Sequence, residues 1–119
     1  MKYRIKKDVK APIVPNFHFF NGQGDCVFTC NAQNVTALEA GLYEATCSIP
    51  ANFLNDGIHF VMLACTTYFP NNYVVNFHYR DALSFEIVDK LHDNPLRYNY
   101  AGGWPGYIRP SLKFSIQKL

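Results

Sequence analysis

Apolar and polar residues alternate with a period of two along most of the chain. The alternation is clearest at residues 42–49, 83–87 and 112–117. Because successive side chains of a β-strand point to opposite faces of a sheet, these segments are predicted to be half-buried strands. In residues 59–66, apolar side chains occupy both the odd and the even positions. This pattern predicts a central strand that is covered on both faces. Further strands are predicted at residues 3–6, 13–20, 25–30 and 73–79.

Turn-forming residues separate the predicted strands. Residues 21–24, 55–57 and 70–72 are rich in Asn, Asp, Gly and Pro, which favour tight connections between antiparallel strands. Only residues 35–40 and 51–55 have a pattern compatible with short helices. Strands that recur at roughly ten-residue spacing with almost no helix indicate one all-β domain over residues 1–119, an antiparallel β-sandwich of Ig-like or jelly-roll type.

The apolar side of each predicted strand supplies the candidate core. Eleven residues are predicted to be largely buried: Phe17, Phe19, Tyr43, Cys47, Ile49, Phe60, Met62, Phe85, Ile87, Leu112 and Phe114. The four cysteines lie within apolar strand patterns, where a free thiol behaves as a small buried hydrophobic group: Cys26, Cys30, Cys47 and Cys65.

Composition and charge narrow the classes of function. The 119 residues are 49% hydrophobic and 16% aromatic, so the chain has enough apolar material for one ordinary core. The net charge is only +2, and the basic residues at the start of the chain interleave with Tyr3 and Ile5, as on the solvated side of a strand. We therefore expect no nucleic-acid binding. No apolar stretch approaches the ~20 residues of a membrane span or resembles a signal peptide, and a cytoplasmic location is expected.

The sequence offers little for catalysis or for a cofactor. It contains no nucleophile elbow, no phosphate-binding glycine loop and no zinc-protease motif. Cys26 and Cys30 do not have the spacing of a zinc site, and Glu86 and Asp89, a candidate carboxylate pair, are expected to face opposite sides of a sheet. The four histidines are scattered: His18, His59, His78 and His92. We expect a non-catalytic domain without metal or cofactor.

Aromatic and amide side chains concentrate in two stretches, residues 68–80 and 98–104. Sugars present apolar C–H faces ringed by hydroxyl groups, so a sugar site combines flat aromatic platforms with hydrogen-bonding side chains. Strict alternation along the first stretch places Asn76, His78 and Arg80 on one face of a strand. The predicted carbohydrate-binding residues are Tyr68, Tyr73, Asn76, His78 and Arg80.

Two alternatives to this site stay open. By the same alternation Val75, Phe77 and Tyr79 take the opposite face, and Tyr73 is equally compatible with packing into the core. If the first stretch binds no sugar, the loop at residues 98–104 is the next candidate.

Three stretches resemble the C-terminal carbohydrate-binding domain of Wzt-type ATP-binding subunits in O-antigen polysaccharide ABC transporters. They are GLYEATCSIPANFLNDGIHFV, DALSFEIVD and YAGGWPGYIRPSLKFSI. The positions that match the family's pattern are Gly41, Tyr43, Ile49, Pro50, Leu54, Gly57, Leu83, Phe85, Pro105, Gly106, Arg109 and Pro110. The upstream PNFHFFNGQGDCVF resembles the family's hairpin, so the resemblance covers nearly the whole chain.

The resemblance implies a function in lipopolysaccharide biosynthesis. A domain of this family recognises the O-antigen polysaccharide at its non-reducing end before export, beside the transporter's ATP-binding and permease subunits on the cytoplasmic side of the bacterial inner membrane. Compared with the family's pattern, these 119 residues contain no nucleotide-binding domain, and the domain is expected to lack one or two of the usual first strands.

A sheet edge without its usual neighbour favours pairing with a second copy, and the resemblance also implies a domain-swapped homodimer. Lys2, Arg4 and Lys6 are an alternative way to protect that edge. A structural or dimerisation domain without sugar contact is the main alternative function, and a glycoside-modifying enzyme is a third.

Overall fold

The chain forms two antiparallel sheets. A computed structural model describes residues 1–90 and 94–119 of the protein. The larger sheet has the strand order β3-β2-β5-β6, and the smaller sheet pairs β1 with β4. The strands are β1 (Lys2–Ile5), β2 (Val14–Asn21), β3 (Cys26–Asn31), β4 (Gly41–Glu44), β5 (Gly57–Phe69) and β6 (Asn72–Ile87). The predicted all-β antiparallel sandwich is confirmed.

The core lies between the two sheets. Phe17 and Phe19 of β2 and Val61 of β5 form its buried centre. They share one face of the larger sheet, which we call the inner face, because Phe17 is paired with Leu63 and Phe19 with Val61, both at odd-numbered positions of β5. Met1 and Ala45, at the ends of the smaller sheet, pack against this centre. The alternation of the sequence thus determines which side of β2 is buried.

Most predicted strands are confirmed, although some boundaries differ. The predicted central strand is β5, which lies between β2 and β6 and extends beyond residues 59–66 at both ends. The two segments predicted at residues 73–79 and 83–87 are parts of one long strand, β6. Residues 42–49 are predicted to form one strand, but β4 ends at Glu44. The prediction that residues 35–40 and 51–55 are compatible with short helices is wrong, since neither segment is helical.

The predicted last strand is also wrong. Residues 111–119 are exposed and form no strand, so Leu112 is 67% and Phe114 is 87% exposed. The segment is attached through an isolated bridge between Leu54 and Ile108. The molecule is 58 Å long and has a radius of gyration of 18.4 Å, against about 13–14 Å for a compact domain of this length.

The predicted core is correct near β2 and less so elsewhere. Phe17 and Phe19 are buried as predicted, whereas Cys47 is exposed. The remaining predicted core residues apart from the exposed terminal pair are half-buried: Tyr43, Ile49, Phe60, Met62, Phe85 and Ile87. The smaller sheet is too narrow to cover the inner face as far as β6, where Phe77 is 49% and Tyr79 is 60% exposed. Burial is therefore concentrated on the β2 side of the sandwich.

In the described part of the chain, no helix has the length and apolar character needed to cross a membrane. His92 lies outside the described residues.

Candidate functional site

A bulge in β6 determines which of the predicted site residues share a face. Thr66 pairs with Val75 and Cys65 pairs with Phe77, so Asn76 is an extra residue in the ladder. An extra residue reverses the alternation beyond it. Val75 therefore lies on the same face as His78, whereas Asn76 turns to the inner face and donates a hydrogen bond to Thr67 Oγ1 at 2.9 Å. The predicted grouping of Asn76 with His78 and Arg80 is wrong.

The opposite side of the larger sheet, which we call the outer face, carries a shallow groove across β2, β5 and β6. The groove has a volume of about 530 Å³. Its lining includes four of the five predicted site residues: Tyr68, Tyr73, His78 and Arg80. This outer groove also contains side chains from β2 and β5 that the sequence did not single out, namely Asn16, His18, Phe20, Met62, Ala64 and Thr66.

The floor of the outer groove is a hydrogen-bonded polar network. Asn16 is 2% exposed, and its amide donates to Thr66 Oγ1 at 3.0 Å and to the Val14 carbonyl at 3.2 Å. The remaining amide oxygen of Asn16 is 3.0 Å from Nε2 of His18. Burial disfavours the charged imidazole and lowers the pKa of His18 below 6.5. His18 is therefore neutral at pH 7 and is held in place by Asn16.

Two tyrosines form one end of the outer groove beside the β5–β6 turn. Tyr68 and Tyr73 are cross-strand partners whose ring centroids are 6.5 Å apart at an interplanar angle of 43°. Asn31, at the end of β3, donates to the Tyr68 hydroxyl at 3.2 Å and so restrains that ring. Tyr73 remains 64% exposed. The pair presents an accessible aromatic platform next to hydrogen-bonding groups.

Arg80 lies at the other end of the outer groove, where β6 is irregular a second time. Val61 pairs with Leu83 and Leu63 with Tyr79, so more β6 residues than β5 residues span this interval. Asp81 in the interval has a positive φ of 51°. Arg80 and Asp81 both line a second hollow of about 320 Å³ beside the β2–β3 turn. Arg80 is consequently shared between two adjoining depressions.

The chemistry of the outer groove is that of a binding surface. It combines exposed tyrosine rings, a cationic guanidinium and neutral hydrogen-bonding groups, and no buried carboxylate lines it. Among the described residues, no three His, Cys, Asp or Glu side chains cluster closely enough to hold a metal ion. The contribution of β2 was detectable in the sequence, because Asn16 and His18 alternate with the core residues Phe17 and Phe19.

The alternative stretch, residues 98–104, is organised by a buried ionic cluster. Arg97 and Arg109 both donate to the carboxylate of Asp89, and all three side chains are at least 95% buried. Asp56, whose side chain is 45% exposed, contacts the same two guanidinium groups. Arg97 also donates to the Gly102 carbonyl and lies 5.6 Å from the centroid of the Trp104 ring. The cluster, which we call the arginine–aspartate cluster, holds the loop in place.

The arginine–aspartate cluster determines the ionisation state of Asp89, one of the two residues in the candidate carboxylate pair. Burial raises the pKa of Asp89, but hydrogen bonds from Arg97, Arg109 and Asn94 outweigh it, so the pKa lies below its ordinary value. Asp89 is therefore an anion at neutral pH and does not act as a general acid. Glu86 is exposed on β6 and does not belong to the cluster.

Tyr98 and Tyr100 remain exposed in this loop, Tyr98 at 89%. The loop thus offers aromatic surface, but Arg97 and Arg109 beside it are already paired with Asp89. When the chain is compared with protein-family models, curated proteins and solved structures, no match is found.

Proposed function

We propose that the chain is a non-catalytic carbohydrate-binding domain whose outer groove binds the non-reducing end of an O-antigen-type polysaccharide. One observation carries the proposal: accessible tyrosine rings lie in the same 530 Å³ groove as Arg80, His78 and the neutral His18. Aromatic rings stack on the apolar faces of sugar rings, and the flanking polar groups bond hydroxyls or an acidic terminal group.

The preorganised floor of the outer groove supports the proposal that this groove binds a sugar. Asn16 and Thr66 bond to each other, and Asn16 fixes the His18 ring. A ligand that approaches His18 therefore meets a side chain whose conformation is already restricted. Binding loses less conformational entropy when the polar groups are preorganised.

The role in export rests on the resemblance in sequence to the domain of Wzt-type ATP-binding subunits. On that basis the partners are the polysaccharide and the ATP-binding and permease subunits of an ABC transporter, and the location is the cytoplasmic side of the inner membrane. Co-purification of the chain with those subunits, with and without added O-polysaccharide, tests this part of the proposal.

Titration calorimetry with size-fractionated O-polysaccharides and their terminal oligosaccharides tests the groove. The double substitution Tyr73→Ala, His78→Ala should weaken binding by at least about tenfold, because it removes about 1 kcal/mol of stacking and about 1 kcal/mol of hydrogen bonding, and about 1.4 kcal/mol corresponds to a factor of ten. Tyr98→Ala is the control, since it removes an even more exposed tyrosine ring from the alternative loop. Undiminished binding by the double variant would contradict the proposal, and loss of binding in Tyr98→Ala alone would place the site at residues 98–104.

A homodimer is the second part of the proposal, and exposed apolar surface supports it. The inner face near β6 leaves Phe77 and Tyr79 half or more exposed, while Leu112, Phe114 and Ile116 project from the chain at alternating positions. A second copy could cover the inner face with its own terminal segment. A dimer would also place two weak sugar sites on one particle and raise the overall affinity.

Sedimentation velocity at tens of micromolar tests the dimer, because association of this kind depends on protein concentration. Phe114→Ser should shift the equilibrium toward monomer, and a monomer for the unsubstituted chain would contradict the dimer. Dimerisation without binding of any tested polysaccharide would favour the alternative function, a structural domain of the export assembly that has no direct sugar contact.

A further inference from the structure

Two cysteines from separate parts of the sandwich meet beside the core. Cys30 lies near the end of β3, and Cys47 is the third residue after the end of β4. Their Sγ atoms are 3.6 Å apart, within hydrogen-bonding distance of each other. Neither Cys26 nor Cys65 has such a thiol neighbour among the described residues. The two thiols join the edge strand of the larger sheet to the segment that leaves the smaller sheet.

The distance places the thiols within reach of a covalent bond. A disulfide requires the sulfur atoms to approach to about 2.05 Å, so side-chain movement of roughly 1.5 Å closes the gap. Cys30 is half-buried against the core residues of β2, and Cys47 is exposed. One thiol is therefore accessible to a soluble oxidant, and the other is positioned to attack the sulfur of its neighbour.

We propose that Cys30 and Cys47 form a reversible intrachain disulfide that closes in the presence of a low-molecular-weight disulfide such as oxidised glutathione. This inference is independent of the sugar-binding proposal, because it concerns the inner face and not the outer groove. The closed form attaches β3 covalently to the chain segment that covers the core, and the reduced form leaves β3 and that segment in noncovalent contact only.

The reaction proceeds by two thiol–disulfide exchanges. The deprotonated Sγ of Cys47 attacks one sulfur of oxidised glutathione, the glutathione S–S bond breaks, and one glutathione thiolate leaves. The deprotonated Sγ of Cys30 then attacks the Cys47 sulfur of the mixed disulfide and releases the second glutathione thiolate. The two protein thiols lose two protons and two electrons in total, and the oxidant becomes two molecules of reduced glutathione.

The environment of Cys30 affects the second of the two exchanges. Burial, followed by the hydrogen bond and the electrostatic effect of Cys47, raises the pKa of Cys30 to about 11. Only a small fraction of Cys30 is thiolate at neutral pH, so ring closure from the mixed disulfide should accelerate as the pH rises. An accessible disulfide of this kind is also readily reduced again by excess thiol.

In the experiment, the reduced 119-residue chain is incubated with defined ratios of reduced to oxidised glutathione. Free thiols are then blocked by rapid alkylation, and the intact mass is measured. The expected product has lost the mass of two hydrogens and retains two alkylated cysteines. Cleavage after glutamate locates the bond, because Glu39 and Glu44 separate Cys30 from Cys47, whereas no Lys or Arg occurs between Lys10 and Arg80.

Serine variants provide the matched controls. Cys26→Ser removes an exposed thiol from the same strand and should still form the intrachain bond, while Cys30→Ser and Cys47→Ser should not. Oxidation should raise the thermal midpoint of the Cys26→Ser variant by roughly 10 °C, as expected for a bond that closes a loop of this length. The midpoint of Cys47→Ser should not rise.

Three results would overturn the proposal. One is a stable glutathione adduct at Cys47 that never proceeds to the intrachain bond. The second is a disulfide between two chains in place of the internal one. The third is an oxidised product that survives Cys47→Ser, which would assign the bond to another pair.

Discussion

The two faces of the larger sheet are built from the same strands but differ in what they bury. On the inner face, Phe17, Phe19 and Val61 are packed beneath the smaller sheet. On the outer face, Tyr68, Tyr73, His78 and Arg80 line an open groove above hydrogen-bonded Asn16 and Thr66. Stability should therefore depend mainly on the inner face near β2, and ligand binding on the outer face near β6.

The inner face itself is uneven. The smaller sheet covers the β2 side and leaves Phe77 and Tyr79 of β6 exposed. A residue on the correct side of a strand is buried only if another element lies above it. Phe19 and Phe77 therefore lie on the same face of the sheet but are expected to contribute differently to stability.

The largest expected effect separates these two phenylalanines. Phe19→Ala should lower the free energy of unfolding by about 3–5 kcal/mol, because it removes a buried ring and leaves a cavity. Phe77→Ala should cost less than half as much in monomeric protein, since its side chain is about half exposed. Chemical denaturation at low protein concentration measures both values, and equal losses would contradict the division of the inner face.

The arginine–aspartate cluster provides the next test, away from both faces. Asp89→Asn should lower the free energy of unfolding by about 3 kcal/mol, since it removes the buried charge opposite Arg97 and Arg109. Asp56→Asn is the control, because Asp56 contacts the same arginines from an exposed position, where an ion pair contributes about 0–1 kcal/mol. If both variants lost the same stability by chemical denaturation, burial would not be the decisive difference.

Acid should weaken the same cluster. The pKa of Asp89 is lower in the folded chain than its ordinary value of 3.8. A group with a depressed folded-state pKa contributes its stabilisation at pH values above the unfolded value and loses it as the pH falls through the folded value. Between about pH 4 and pH 2 the unsubstituted chain should lose more stability than Asp89→Asn. Thermal melts across that range measure the difference, and parallel curves would contradict it.

The smallest expected change in stability distinguishes the two sides of the β6 bulge. His78→Ala, on the outer face, should change the free energy of unfolding by less than about 0.5 kcal/mol and weaken polysaccharide binding. Asn76→Ala, on the inner face, should cost about 1 kcal/mol by removing its bond to Thr67 and should leave binding unchanged. The opposite assignment of the two effects would show that Asn76 belongs to the groove.

The alternation of apolar and polar residues was sufficient to predict the all-β class and the buried side of β2. The turn-forming residues were sufficient to predict the β2–β3 and β5–β6 turns. Those features depend on neighbours in sequence, because strand periodicity and turn chemistry are local. Four of the five predicted groove residues, Tyr68, Tyr73, His78 and Arg80, lie together for the same reason, since they belong to one hairpin.

Only the tertiary structure decided the rest. The bulge at Asn76 is a property of how β6 pairs with β5, and it reverses a face that strict alternation assigned wrongly. The burial of Leu112 and Phe114 depended on a partner strand that the described chain does not provide. The approach of Cys30 to Cys47 likewise depends on how the two sheets are stacked. Periodicity determines the direction of a side chain only where strand pairing is regular, whereas pairing and packing determine where that pattern breaks and what each side chain meets.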